Sequence, residues 1–160
     1  MTVEVTISQR EARPVVCTRF QCTAPAIPVH IREMLVPVFG YADGQGAIVA
    51  EPPYLRYHAL IDGRYHLELG IPIVESLNGI GEIEASKLPG GYIAIAEHVG
   101  PYRMLGKTHG AVRNWIRESE EWEVNGPGWD FFIDDPRKTD QELGRASRRT
   151  RVCYPIRKIE

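Results

Sequence analysis

Asp130 is the residue whose surroundings in the sequence could most readily do chemistry. It stands in Trp129-Asp130-Phe131-Phe132, a carboxylate set among three aromatic rings. Such an acid can neutralise a cationic ligand, while each ring adds apolar area and cation–π attraction of about 0.5–2 kcal/mol. Buried, the same group would suit general-acid or general-base work, which makes Asp130 the candidate catalytic residue of a hydrolase. The alternatives are an Asp130 facing solvent at a strand start, or one paired with an arginine such as Arg56. Tyr54 and Tyr57 repeat the spacing of Trp129 and Phe132: an aromatic, two spacers, an aromatic. Core packing explains Phe132 most simply. Tyr57 and Trp129 carry polar tips that want partners, so they are the better ligand contacts.

Glu68 lies in Tyr65-His66-Leu67-Glu68-Leu69, with the leucines on one face and His66 and Glu68 on the other. It is a solvated strand residue or, if that face floors a binding cleft, a second acid. His98 and Tyr102 flank a strand-to-helix corner at Gly100-Pro101 and complete the candidate ligand set. A structural histidine and a core-capping tyrosine are the plainer readings of that pair. Cys17, Cys22 and Cys153 have no C-x-x-C spacing, and the five histidines have no H-x-x-x-H spacing, so neither a metal site nor a cofactor is expected. Gly44-Gln45-Gly46 and Gly79-Ile80-Gly81 lack a P-loop lysine, which leaves nucleotide binding by that mechanism unsupported.

The elements that must hold these residues follow from periodicity. Alternation predicts strands over 3–7, 15–20, 54–61, 65–73, 82–86, 92–99, 129–133 and 150–156. Ile27, Ile31, Leu35 and Val38 predict a helix of about three turns, opened near Pro28 and ended with help from Pro37. A second helix starts at Pro101, with Leu105, Thr108, Val112, Trp115, Ile116 and Ser119 on one stripe. Asp62-Gly63 is a strong hairpin turn.

The same grammar occurs twice. Gly70-Ile71-Pro72-Ile73 echoes Cys153-Tyr154-Pro155-Ile156, and Arg13-Pro14-Val15-Val16 echoes Gly90-Gly91-Tyr92-Ile93. An internal duplication of two ββαββ units is the economical explanation, with repeats of about 1–76 and 82–160 in a single domain. The second copy carries a polar insertion over 137–149, and Arg145, Arg148, Arg149 and Arg151 cluster at its end and just after it. Asp134, Asp135, Asp140 and Glu142 dilute that charge, so a solvated loop is expected rather than a nucleic-acid patch.

The 160 residues suit one ordinary domain, and 43% hydrophobic with 25% charged residues is a globular composition. A net charge of -2 argues against binding driven by phosphate neutralisation. No apolar run reaches membrane-span length, so a cytoplasmic protein is expected.

With His98-Val99-Gly100-Pro101-Tyr102, the helix ending near Trp115-Ile116, and Gly126 to Pro136 in view, the chain resembles gyrase-inhibitor-like effector-binding domains. Related ligand domains occur in AraC-type and MerR-type multidrug regulators. Glu68 to Ile73 also looks like that family. The resemblance implies an α+β fold of antiparallel sheets covered by two helices, pseudo-twofold, with a ligand cleft between the repeats. It implies a stand-alone bacterial-type binder of apolar or cationic aromatic compounds, with Trp129, Tyr57 and Tyr54 stacking and Asp130 and Glu68 setting charge preference. The alternatives are a cofactor-free hydrolase of electrophiles using Asp130, and a protein inhibitor of a topoisomerase-like partner. The family tends to carry Glu-x-Tyr where this chain has Asp130 and Phe132. The strand pattern begins at Val3, so no DNA-binding segment is expected in the chain.

Overall fold

In the computed structural model, which describes residues 3–139 and 148–160, the Asp62-Gly63 turn closes the first hairpin as expected. Asp62 and Gly63 both have positive φ, 51° and 76°, the backbone a tight two-residue hairpin loop demands. The flanking strands are β3 (Tyr54–Ile61) and β4 (Arg64–Pro72). The class is α+β, with antiparallel strands and two helices. The other strands are β1 (Thr6–Arg10), β2 (Arg13–Cys22), β5 (Glu84–Leu88), β6 (Gly91–Val99), β7 (Trp122–Val124), β8 (Trp129–Phe132) and β9 (Arg149–Lys158). The helices are α1 (Ile27–Gly44) and α2 (Leu105–Ser119).

The chain divides into two compact units, a first-half unit of Ala12–Pro89 and a second-half unit of Met1–Glu11 with Gly90–Glu160. Within the first-half unit the strand order is β3-β4-β2-β5; within the second-half unit it is β8-β9-β6-β1, with β7 also on β9. The two orders match strand for strand, which is compatible with a duplication. Each unit runs strand, helix, hairpin, and gains an edge strand from the other repeat's sequence. β1 pairs with β6, and β5 pairs with β2.

Register refines the sequence echo. Tyr54 pairs with Gly70, which pairs with Cys17; Trp129 pairs with Cys153, which pairs with Ile95. Tyr54 and Trp129 are therefore equivalent, as are Tyr57 and Phe132. Val15 then matches Ile93, one residue later than the echo with Tyr92 suggests. A one-residue slip sends every side chain to the opposite face, so only the later match keeps the buried Val15 and Ile93 together.

α1 does not end at Pro37; it continues for two more turns with Pro37 inside it. The stripe Ile31, Leu35, Val38 and Ala42 is buried throughout, and its packing outweighs the loss of one helical hydrogen bond at the proline. α2 buries Leu105, Thr108, Val112 and Ile116 as the stripe predicts, and adds His109. Its apolar residues pack on Ala94, Ala96, Val152, Tyr154 and Ile156. Gly106 and Gly110 sit inside this helix, where each costs about 1 kcal/mol relative to alanine. β7, short and not signalled by alternation, joins β9 through Trp122 to Val124.

Of the basic run, Arg145 lies outside the described residues, as do Asp140 and Glu142. Arg149 pairs with Asp134 at 3.1 Å and Arg151 with Glu97 at 2.7 Å, both at the surface. Arg148 donates to the Tyr102 hydroxyl at 2.9 Å.

Candidate functional site

Successive residues on a strand point to opposite faces, and this decides where the candidate residues go. On β8, Asp130 and Phe132 turn toward α2. Trp129 and Phe131 turn the other way and meet edge-on, with the Arg10 guanidinium 5.7 Å from each ring. The expected single pocket holding both the Trp129 indole and the Asp130 carboxylate is thus split across a strand. Trp129 is fully buried, and its indole N–H finds no partner among the described residues.

On the α2 side, Asp130 is fully buried and its Oδ1 lies 2.8 Å from His109 Nε2. His109 Nδ1 lies 2.7 Å from the Tyr154 hydroxyl, and that hydroxyl accepts from Arg113 at 2.8 Å. Ionised Asp130 can only accept, so Nε2–H donates to it. A neutral ring then leaves Nδ1 to receive the Tyr154 O–H, and every bond in the chain has one donor and one acceptor. Burial pushes the Tyr154 phenol up, opposed by the Arg113 charge and hydrogen bond. Of the alternatives considered from sequence, the solvent-facing Asp130 gives way to a buried one paired with His109. Gly128 is required by the same site: a methyl group there would fall 2.7–2.9 Å from the Tyr154 ring.

Phe132 and Tyr102 pack together at 5.6 Å between ring centres, and Arg148 covers Tyr102 at 4.6 Å. His98 is buried, with Nδ1 2.8 Å from Thr108 Oγ1 and Nε2 3.1 Å from the Pro101 carbonyl.

The first-half unit carries the other acid. Phe20 stacks on His30 of α1, so its neighbour Arg19 and the paired Glu68 lie on the face away from that helix. Glu68 has no exposed surface. Its Oε2 accepts the buried Tyr54 hydroxyl. Its Oε1 meets His58 Nε2 at 2.7 Å and Arg19 at 3.6 Å, both of them partly exposed side chains. Tyr57, one residue on from Arg56, turns to the opposite face and meets Tyr65 edge-on. A β-bulge at Tyr57/Ala59 brings His58 toward Glu68, a placement that alternation alone does not foretell.

Cys17 lies beside Tyr54 and Glu68, and its thiol is pushed up to about 12, by burial first and then by the Glu68 charge. Burial, then Glu68, also raises the Tyr54 phenol. Above the ordinary thiol range the folded chain therefore keeps a proton that the unfolded chain releases. Stability from this group is full below about pH 9 and falls as pH rises toward 12. The denaturant midpoint should drop between about pH 8 and about pH 10.5, and drop less in Cys17→Ala. An equal drop in both proteins would exclude this origin.

Sequence reasoning missed His58, His109, Arg113 and Tyr154. His109 alone had a signal, since it stands four residues after Leu105 and seven before Ile116, on the buried stripe.

The family model described as a GyrI-like small molecule binding domain matches residues 3–147. The EcmrR C-terminal domain superposes with a TM-score of 0.80 at 16% identity, covering 99% of this chain and 100% of that one. The EcmrR chain in an EcmrR–DNA complex is matched over 59% of its length. SAV2435 bound to tetraphenylphosphonium gives a TM-score of 0.64 at 13% identity, covering 96% and 94% of the two chains. A hydrolase encoded by lin2189 from Listeria innocua gives 0.65 at 10% identity, covering 98% and 93%. No curated protein matches.

Proposed function

We propose that this chain, which belongs to the family of GyrI-like small molecule binding domains, binds lipophilic aromatic cations with Glu68 as the counter-charge. One observation carries the reading. Glu68 is a buried carboxylate with one oxygen fixed by a buried phenol and the other shared by an arginine and a histidine, both partly exposed. An anchored acid whose outer oxygen already faces a guanidinium and an imidazole from the solvent side is what an exchangeable cation site requires. A ligand cation would displace His58 and Arg19 from Oε1 and leave Tyr54 in place. Tyr54 then keeps the carboxylate oriented, and a charge-assisted contact of this kind contributes about 1.5–3 kcal/mol.

The relative bound to tetraphenylphosphonium supports the ligand class and supplies the probe. Titration calorimetry with tetraphenylphosphonium should give a single binding event in the native chain. Glu68→Gln should weaken it by roughly 10- to 100-fold, with the melting temperature as a check on folding. Equal affinity in a folded Glu68→Gln protein, or no binding by the native chain, would defeat the reading.

A further inference from the structure

We propose that Tyr154, His109 and Arg113, positioned by Asp130, form an acyl-transfer site for small activated carboxylic esters, those that release a phenol or enol. The inference rests on the second-half unit alone and does not depend on the cation-binding reading.

Three observations carry it. The hydroxyl, the imidazole and the carboxylate stand in line at 2.7 and 2.8 Å, the spacing of a nucleophile, its base and the acid that orients the base. The chain runs from the exposed Arg113 to the fully buried Asp130, so its hydroxyl end is the outer one. Residues 106, 110 and 113 share one flank of α2 at helical spacing, and the first two are glycines. Among the described residues, a methyl group on Gly106 would meet nothing within 4 Å, and one on Gly110 only the Arg113 guanidinium at 4.0 Å. Among the described residues, the flank of α2 beside Arg113 is therefore open at positions 106 and 110, where a helix would ordinarily carry side chains.

The step balances within the protein. Tyr154 Oη attacks the acyl carbon as His109 Nδ1 takes its proton, and Asp130 stabilises the imidazolium. The acyl–oxygen bond breaks, and the leaving phenol departs with the proton from His109. Water then attacks the acyl-tyrosine; His109 takes a proton from it and returns one to the Tyr154 oxygen as the carboxylic acid leaves. Ester and water enter, and acid and phenol emerge. Exchanging one phenol for another is nearly balanced, whereas an alkyl ester would have to transfer its acyl group uphill. That restricts the substrate class.

The test uses p-nitrophenyl acetate with the full chain. The native protein should show a burst of p-nitrophenol followed by turnover, and one acetyl group on Tyr154 by peptide mass mapping. Tyr154→Phe should lose both, while Tyr92→Phe, a tyrosine elsewhere in the same unit, should lose neither. Asp130→Asn should lower the rate by on the order of 10²–10⁴ and move the acid limb of the pH–rate profile to lower pH. A merely structural aspartate would leave the profile in place. Gly110→Leu, outside the hydrogen-bonded chain, should melt no lower than the native protein yet lose most of the rate. Acetylation elsewhere, full activity in Tyr154→Phe or in Gly110→Leu, or hydrolysis no faster than in buffer would overturn the proposal.

Discussion

Gly70→Ala should lower the stability of the chain by about 3 kcal/mol, and Gly70→Val should leave little folded protein. A methyl group at this position would lie 2.5 Å from the Val16 carbonyl oxygen, 2.7 Å from Cys17 Cβ and 2.9 Å from the Tyr54 hydroxyl. Two of those atoms belong to or adjoin the backbone of β2, which is hydrogen-bonded to β4 at this register. Neither can move without breaking the ladder. The third is the hydroxyl that holds Glu68, so a protein that survives by shifting Tyr54 should also lose tetraphenylphosphonium affinity. Denaturant unfolding of Gly70→Ala beside the native chain tests this. A change below about 0.5 kcal/mol would show that the strand has room the structure does not display.

His109→Ala should cost about 1–3 kcal/mol, because it removes the imidazole bonded at 2.8 Å to a fully buried Asp130 and at 2.7 Å to Tyr154. The double replacement of His109 and Asp130 by leucine should recover most of that loss, since a well-packed apolar pair of similar size needs no compensation. A double-mutant cycle separates the two effects: the coupling should be large and favourable, and Asp130→Leu alone should be milder than His109→Ala. If His109→Ala unfolds at the native denaturant concentration, the Asp130 carboxylate is not held by the imidazole. The leucine pair also divides structure from chemistry, since it should fold yet fail to hydrolyse p-nitrophenyl acetate.

The elements were legible wherever local rules act alone. Asp62-Gly63 named its own turn because few residue pairs tolerate positive φ, and β3 begins and ends where alternation placed it. α1 was read too short because Pro37 is a local stop signal, whereas the burial of Val38 and Ala42 beyond it is a tertiary effect. The edge strands show the same division. Nothing local in Thr6–Arg10 says that it pairs with β6, eighty residues on, rather than with the β2 that follows it.

By itself, the sequence determined the α+β class, the doubled grammar and the family resemblance, since each depends on spacing along the chain. It also marked Tyr54 and Trp129 as equivalent aromatics and Glu68 as lying opposite its flanking leucines. Tertiary structure alone decided which acid faces which partner. Asp130 and Trp129 are neighbours in sequence, yet strand geometry sends them to opposite faces, and Asp130 finds His109 twenty-one residues away. Glu68, an ordinary strand glutamate on paper, becomes a fully buried carboxylate because a bulge delivers His58 and the register delivers Tyr54. Periodicity says which way a side chain points; only packing says what it meets there.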